Sequence, residues 1–240
     1  MHVVWSQVAI AGVIGGFLAL ERRAFLQAML SRPLVAATLV GLALDDVESG
    51  IFVGMVLELF HLGSASLGAS LSENDTLAAT GTAAAAAALA EGFGGSTPAV
   101  WSLALLAFAP LGPLGQRIDR ALDRYTVRLA RTAQSSVDEG NLKRAIRQNL
   151  WGMWPHFVVY ACLTVACYQV GMLAAPWLHA ALPLHVLRGL AWAWPAMASV
   201  AAAIAARGSH AKRAHVYAGA AAAVVAGAAL VITLYAGVDR

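Results

Sequence analysis

The chain has 240 residues, of which 60% are hydrophobic and 12% are charged, and its mean hydropathy is +0.68. This composition excludes an ordinary soluble domain and is typical of polytopic membrane proteins. The formal net charge of +3 does not indicate a nucleic-acid partner, because the basic residues are interleaved with acidic ones in an apolar chain.

The apolar residues fall into segments that leave room for about seven or eight membrane crossings, at roughly 20 residues for each crossing. The segments are 3–20, 24–44, 49–72, 76–90, 96–115, 151–175, 185–206 and 214–238. The first carries no cleavage signal and is expected to stay as a helix. Several others are short, polar or interrupted by proline, so some are predicted to re-enter the membrane. We therefore predict an all-α polytopic membrane protein with a single domain, residues 1–240.

Residues 24–75 form the most unusual region, because charges interrupt two apolar segments that meet at an acidic turn, residues 45–48. Arg32 and Pro33 interrupt the first segment, and Glu58 and His61 lie within the second. Charged groups and irregular backbone persist at membrane depth only where protein or a water-filled cavity surrounds them. Residues 24–75 are therefore predicted to line a substrate path.

Glu58 is the strongest candidate for a substrate-binding residue in this region. A buried carboxylate needs a polar substrate, a proton or a basic partner, and the candidate partners are His61 and Arg32. The alternative is a purely structural ion pair. Ser64, Ser66 and Asp75 follow in a stretch whose polar groups suit the hydroxyl groups of a polyol. The alternative for that stretch is an ordinary turn in which Ser72 or Asp75 caps the next helix.

Segment 76–90 and the basic connector, residues 114–149, have opposite characters. Segment 76–90 is almost free of bulky side chains and is expected to lie buried among other helices, although a biased genome would also produce it. The connector begins with an amphipathic helix from Leu114 to about Ala133. It contains half of the Lys and Arg residues, and it is either a solvated connector or a docking surface. The docking candidates are Arg120, Arg124, Arg128, Lys143 and Arg144.

The charge distribution predicts which end of the protein faces the cytoplasm. Single crossings from an outside N-terminus bring Arg22, the connector and Arg213 to one side, which the positive-inside rule makes cytoplasmic. The acidic turn and Glu91 then lie on the opposite side.

No nucleotide-binding, hydrolase or metal-binding motif is present in the sequence. Cys162 and Cys167 are five residues apart in an apolar segment, so two buried thiols are expected. No catalytic residue, metal or cofactor is therefore predicted.

The sequence resembles the IIC component of the mannose/fructose/sorbose family of the bacterial sugar phosphotransferase system. The resemblance is carried by Arg32-Pro33-Leu34-Val35, Thr38-Leu39-Val40-Gly41, Asp46, Ser49-Gly50-Ile51, Gly54, Leu57-Glu58, Gly63 and Gly68, and by Asp138-Glu139-Gly140-Asn141-Leu142.

This resemblance implies a multi-pass permease subunit of the bacterial inner membrane that carries a hexose-like sugar and functions as a hetero-oligomer. Its partners would be a IID membrane subunit and soluble IIA and IIB proteins, which carry the phosphoryl-bearing histidines and phosphorylate the sugar. The resemblance also implies that residues 24–75 contain a re-entrant hairpin, which explains the short apolar run between Arg32 and Asp45. Family members often have Trp and Asn where this chain has Ser64 and Ser66, and Pro-Asp where it has residues 72–75.

Two alternatives to a sugar permease remain open. One is a family member that has lost transport and acts as a membrane anchor or regulator, and the other is an intramembrane enzyme that uses Glu58 and His61.

Overall fold

A computed structural model of the chain describes residues 5–23, 26–62, 73–108, 110–207 and 213–235, with side chains described as far as residue 231. Within these ranges the chain forms ten helices and no strand. The helices are α1 (Trp5–Arg23), α2 (Pro33–Ala43), α3 (Val47–Leu62), α4 (Asp75–Phe93), α5 (Pro98–Phe108), α6 (Leu111–Asp138), α7 (Leu142–Trp151), α8 (Trp154–Ala181), α9 (Leu184–Arg207) and α10 (Ala214–Tyr235).

Helix α4 lies at the centre of the molecule, and the prediction of a buried small-residue helix is confirmed. All fifteen residues from Thr76 to Ala90 are buried, and α4 packs against α8, α2, α3 and α5. The close approach depends on small residues, because a Cβ atom on Gly171 of α8 would lie 2.8 Å from the carbonyl oxygen of Ala85.

Helices α2 and α3 form a tight antiparallel hairpin whose turn lies at the acidic residues, as predicted. The backbone of Asp45 is left-handed, with φ of 57°. Asp46 then accepts a hydrogen bond from the backbone N–H of Ser49 at 3.0 Å and so caps α3. A Cβ atom on Gly50 would lie 2.6 Å from the carbonyl oxygen of Ala37, so glycine is needed where the two helices cross.

Several predicted boundaries are wrong. The segment 24–44 is helical only from Pro33, because residues 26–32 form an irregular connection. The first helix of the connector, α6, runs from Leu111 to Asp138 rather than from Leu114 to about Ala133. Pro176 lies inside α8 and does not end it, since proline removes only one hydrogen bond of the helix ladder. Cys167 is buried but Cys162 is exposed, because residues five apart on a helix point about 140° apart.

Three helical stretches of the described residues are long and apolar enough to cross a membrane. They are Leu142–Ala181, which joins α7 to α8, Leu184–Arg207 and Ala214–Val231. The bent pair α5 and α6 is a possible fourth span. The all-helical class is thus confirmed, whereas the number of seven or eight crossings stays a prediction.

The bundle has two polar ends. At the acidic end, the acidic turn lies beside the start of α1 and the end of α4, and Gln7 donates a hydrogen bond to Asp45. At the basic end, the end of α1 meets the start of α4, where Arg22 pairs with Asp75. This arrangement agrees with the predicted separation of the acidic turn and Glu91 from the basic groups.

Candidate functional site

A pocket of about 250 Å³ opens at the basic end of the bundle, and we call it the basic-end pocket. It lies between the end of α1, the connection 26–32 and the start of α4. Its lining combines two acidic and two basic side chains with hydroxyl and amide groups. The lining residues are Glu21, Arg22, Gln27, Met29, Ser31, Arg32 and Asp75.

Glu58 lies beside this pocket and binds Arg32, one of its two predicted partners. The Arg32 Nη1 atom is 3.1 Å from Glu58 Oε1. The other carboxylate oxygen of Glu58 accepts a hydrogen bond from the backbone N–H of Leu34 at 3.3 Å. Because that N–H lies in the first turn of α2, Glu58 also caps the partner helix of its own hairpin. The Glu58 side chain is 17% exposed, so it lies near the surface of the polar region rather than deep in the core.

Asp75 lines the pocket from the first turn of α4, where its carboxylate lies 3.2 Å from Arg22 Nη2. The alternative in which Asp75 caps this helix is wrong, and Ser72 lies outside the described residues. The cap is Asn74, whose side-chain oxygen accepts the backbone N–H of Leu77 at 2.8 Å. Asp75 is therefore free of the capping role and pairs with a cation of α1.

The other predicted substrate-binding residues are His61, Ser64 and Ser66, and His61 is not among the described residues that line the basic-end pocket. His61 lies in the last turn of α3, where its Nδ1 atom is 2.8 Å from the carbonyl oxygen of Leu57. Ser64 and Ser66 lie outside the described residues. The structure thus brings Arg32 and Asp75 to one pocket and attaches Glu58 to it through Arg32.

Sequence reasoning missed Glu21, which shapes the wall of the pocket. Its residue exposure is 1%, and its carboxylate accepts the backbone N–H groups of Leu30 at 3.3 Å and Ser31 at 2.9 Å. Leu26, Gln27 and Met29 have φ values of 64°, 48° and 62°, which L-residues rarely adopt. Glu21 therefore holds a strained connection in place, and no local sequence pattern distinguishes it from a charge that flanks a membrane helix.

A second polar group missed by sequence reasoning lies directly behind the pocket, and we call it the Asp119 cluster. Asp119 of α6 is 2% exposed and is surrounded by donors from three other helices. The cluster consists of Arg22 and Arg23 of α1, Asn74 at the start of α4, Asp119 and Asp123 of α6, and Tyr160 of α8. Within an arginine-rich amphipathic helix, Asp119 is indistinguishable in sequence from a solvated residue.

A larger cavity of about 560 Å³ opens at the acidic end, on the other side of the same helices. Its polar lining includes Asp45, Asp46, Glu48 and Glu91, and the hydroxyl group of Tyr168 donates to Glu91 at 3.1 Å. Among the described residues, no group of three or more His, Cys, Asp or Glu side chains is placed to hold a metal ion.

The five cations predicted to dock a partner are all exposed, on α6 and α7, which we call the arm. Arg120, Arg124 and Arg128 recur every four residues along one side of α6, and Lys143 and Arg144 lie in the first turn of α7. Leu142 and Ile146 of α7 are each 62% exposed. The arm therefore presents a mixed basic and apolar surface.

A buried alanine-rich helix, a glycine-packed hairpin with charged ends, and polar cavities at both ends of the bundle define a multi-pass membrane protein with an internal polar region. The model of one family matches residues 5–238, and its description is the sorbose-specific IIC component of the phosphotransferase system. The chain belongs to this family.

Individual relatives match shorter parts of the chain. The mannose-specific EIIC component of Escherichia coli K12 is 32% identical over 111 residues, which is 46% of this chain and 39% of that protein. The fructose permease IIC component of Bacillus subtilis strain 168 is 47% identical over 47 residues, or 20% of this chain and 18% of that protein. The matched part of the chain thus spans less than two fifths of the length of these curated relatives.

Two solved structures share the fold over almost the entire chain. One is described as a membrane protein, with a TM-score of 0.72, 21% identity and coverage of 98% of this chain and 95% of that one. The other is the cryo-EM structure of the mannose transporter ManYZ with microcin E492, with a TM-score of 0.60, 22% identity and coverage of 100% and 97%. At these identities the similarity establishes the fold alone.

Proposed function

We propose that the chain is the permease subunit of a phosphoenolpyruvate-dependent sugar phosphotransferase system of the mannose/sorbose family. The observation that carries the proposal is the pair of polar cavities at opposite ends of one set of helices in a chain of this family. A sugar entering at the acidic end would leave through the basic-end pocket, which the positive-inside rule assigns to the cytoplasm. The protein would then lie in the bacterial inner membrane.

The substrate is a hexose-like sugar, and the basic-end pocket holds it. The carboxylates of Glu58 and Asp75 accept hydrogen bonds from sugar hydroxyl groups, and Arg32 holds Glu58 in position while donating to a sugar oxygen. His61, Ser64 and Ser66 complete the site from the end of α3 and the residues that follow. Such a site rejects a ligand that lacks hydroxyl groups, because the polar groups of the site would be left unpaired.

Transport requires the two cavities to open in turn. The hairpin formed by α2 and α3 is the element suited to move, because α2 has only 11 residues, fewer than the roughly 20 that a crossing helix needs, and so would re-enter the membrane. Its movement against α1, α4 and α9, the helices on which it packs, would close one cavity while it opens the other. The strained connection 26–32 links the hairpin to α1 and would absorb the change in backbone angles.

Phosphorylation of the sugar takes place on separate proteins. A soluble IIB protein, recharged by IIA, docks on the arm through Arg120, Arg124, Arg128, Lys143 and Arg144. The P–N bond to its histidine breaks as a P–O bond to the sugar hydroxyl forms, and the hydroxyl proton ends on the freed imidazole. A IID membrane subunit completes the hetero-oligomer, a partnership supported by the fold shared with the mannose transporter ManYZ. The chain itself contributes no catalytic residue and no cofactor.

The proposal is tested by reconstituting the chain in lipid vesicles with IIA, IIB and IID proteins of the same family and supplying phosphoenolpyruvate. We expect accumulation of phosphorylated hexose that depends on all the components. A regulator without transport activity would instead leave the sugar unphosphorylated while still binding IIB, and that result would overturn the proposal.

A further inference from the structure

The carboxylate of Asp119 is the meeting point of four helices at the basic end. Its Oδ2 atom lies 3.4 Å from Arg22 Nη1, 3.1 Å from Arg23 Nη2 and 2.8 Å from Asn74 Nδ2. Its Oδ1 atom accepts the hydroxyl hydrogen of Tyr160 at 2.5 Å. Both oxygens of this buried carboxylate are thus engaged by donors, so removing the carboxylate would leave the donors of three other helices without their partner.

The same donors shape the basic-end pocket. Arg22 also binds the carboxylate of Asp75 and donates to the carbonyl oxygen of Glu73 at 3.0 Å. Asn74 caps α4 with its side-chain oxygen while its amide group holds Asp119 and donates to Tyr160 at 2.5 Å. One carboxylate of α6 therefore connects to both residues that fix the start of α4.

On the other side, Asp119 lies near the base of the arm. Helix α6 packs against α4 near its start and against α7 farther along, where Ser136 donates to Gln148 at 3.1 Å. Arg128 is nine residues beyond Asp119, which on a helix corresponds to about 13 Å. A small rotation at the base would therefore displace the docking cations by several ångströms relative to the pocket.

We propose that Asp119 is a positioning residue that fixes the direction of the arm relative to the sugar pocket. It acts through Arg22 and Asn74 and touches neither the sugar nor the partner. A phosphoryl-bearing protein docked on the arm then meets the sugar at one geometry. The effect of Asp119 on sugar phosphorylation rests on the proposed function. The fixed direction of the arm does not.

The fixed direction of the arm is tested by measuring the distance between two spin labels by double electron–electron resonance. One label is attached at Ser135→Cys on the arm and the other at Arg207→Cys at the end of α9. The native cysteines of the chain are replaced by alanine. We expect one narrow distance distribution for the otherwise native chain and a broadened one for Asp119→Asn and Tyr160→Phe. The matched controls are Asp138→Asn on α6 and Tyr217→Phe on α10, both at exposed positions, which should keep the narrow distribution. Distributions as narrow in Asp119→Asn and Tyr160→Phe as in the controls would overturn the inference.

The effect of Asp119 on sugar phosphorylation is tested with the reconstituted system by titrating phosphorylated IIB at saturating sugar. Because a displacement of about 1 Å can cost up to about 100-fold in rate, we expect kcat per sugar-binding site to fall by about tenfold or more in Asp119→Asn. The dissociation constant for sugar should change by a smaller factor than kcat does, because Arg22 keeps its ion pair with Asp75 in this variant. A native kcat, or a loss of sugar binding that accounts for the lower rate, would overturn the positioning role. If the system reconstituted with the native chain yields no phosphorylated sugar, the proposed function fails, and the distance measurement still decides the direction of the arm.

Discussion

Replacing Glu58 with glutamine separates a role in sugar binding from a role in holding the hairpin together. In the structure, Glu58 pairs with Arg32 and accepts the backbone N–H of Leu34. The amide oxygen of glutamine still accepts the Leu34 N–H, so the cap of α2 survives. Only the ion pair with the half-exposed Arg32 is lost, and such pairs contribute about 0.2–1 kcal/mol.

We therefore expect Glu58→Gln to lower the free energy of unfolding by less than about 1 kcal/mol while abolishing sugar uptake. Glu58→Ala also leaves the Leu34 N–H without its side-chain acceptor, which adds about 1–3 kcal/mol of destabilisation. The assay combines thermal unfolding of the purified chain in detergent with uptake of radiolabelled hexose by vesicles that contain the partner proteins.

The matched control is Glu139→Gln, which changes an exposed glutamate in the turn after α6. It should keep both native stability and native uptake. Uptake at the native rate in Glu58→Gln would refute the assignment of Glu58 to the sugar site and leave it with a structural role only.

Three further substitutions test the packing, the capping and the docking surface. Gly50→Ala should destabilise the hairpin by about 1–3 kcal/mol, since the new methyl group would meet backbone of α2, whereas Gly189→Ala, where nothing lies within 4 Å, should not lower the melting temperature. Asn74→Ala removes a cap and two buried hydrogen bonds and should cost about 2–4 kcal/mol in chemical unfolding, compared with about 1 kcal/mol or less for the exposed cap Asn141→Ala. Replacing both Arg124 and Arg128 with glutamate should raise the IIB concentration needed for half-maximal sugar phosphorylation by about tenfold or more, and this effect should shrink at high salt. An unchanged half-maximal IIB concentration would contradict the docking role.

The parts of the fold that were predictable from sequence are those dictated by local composition. Segment 76–90 is almost free of bulky side chains over several turns, so its burial among other helices was predictable. The acidic residues after α2 end an apolar run abruptly, so a turn was predictable there. In both cases the signal lies within a few consecutive residues.

The parts that were not predictable depend on contacts between distant elements. Asp119 is flanked by arginines of its own helix, and only the approach of α1, α4 and α8 shows that it is buried. Asn74 and Asp75 are both good caps by composition, and the choice of Asn74 follows from its simultaneous contacts with Asp119 and Tyr160. For the candidate site, sequence indicated Arg32, Glu58 and Asp75, whereas Glu21 and Arg22 required the fold.

Sugar is proposed to bind at the basic-end pocket, beside Glu58 and Asp75. The most direct measurement is a cryo-EM structure of the chain with its IID partner and a bound hexose. We expect ligand density within hydrogen-bond distance of Asp75, with Arg32 and Glu58 still paired at the edge of the pocket. Density confined to the acidic-end cavity between Asp45 and Glu91, with the basic-end pocket empty at saturating sugar, would contradict it.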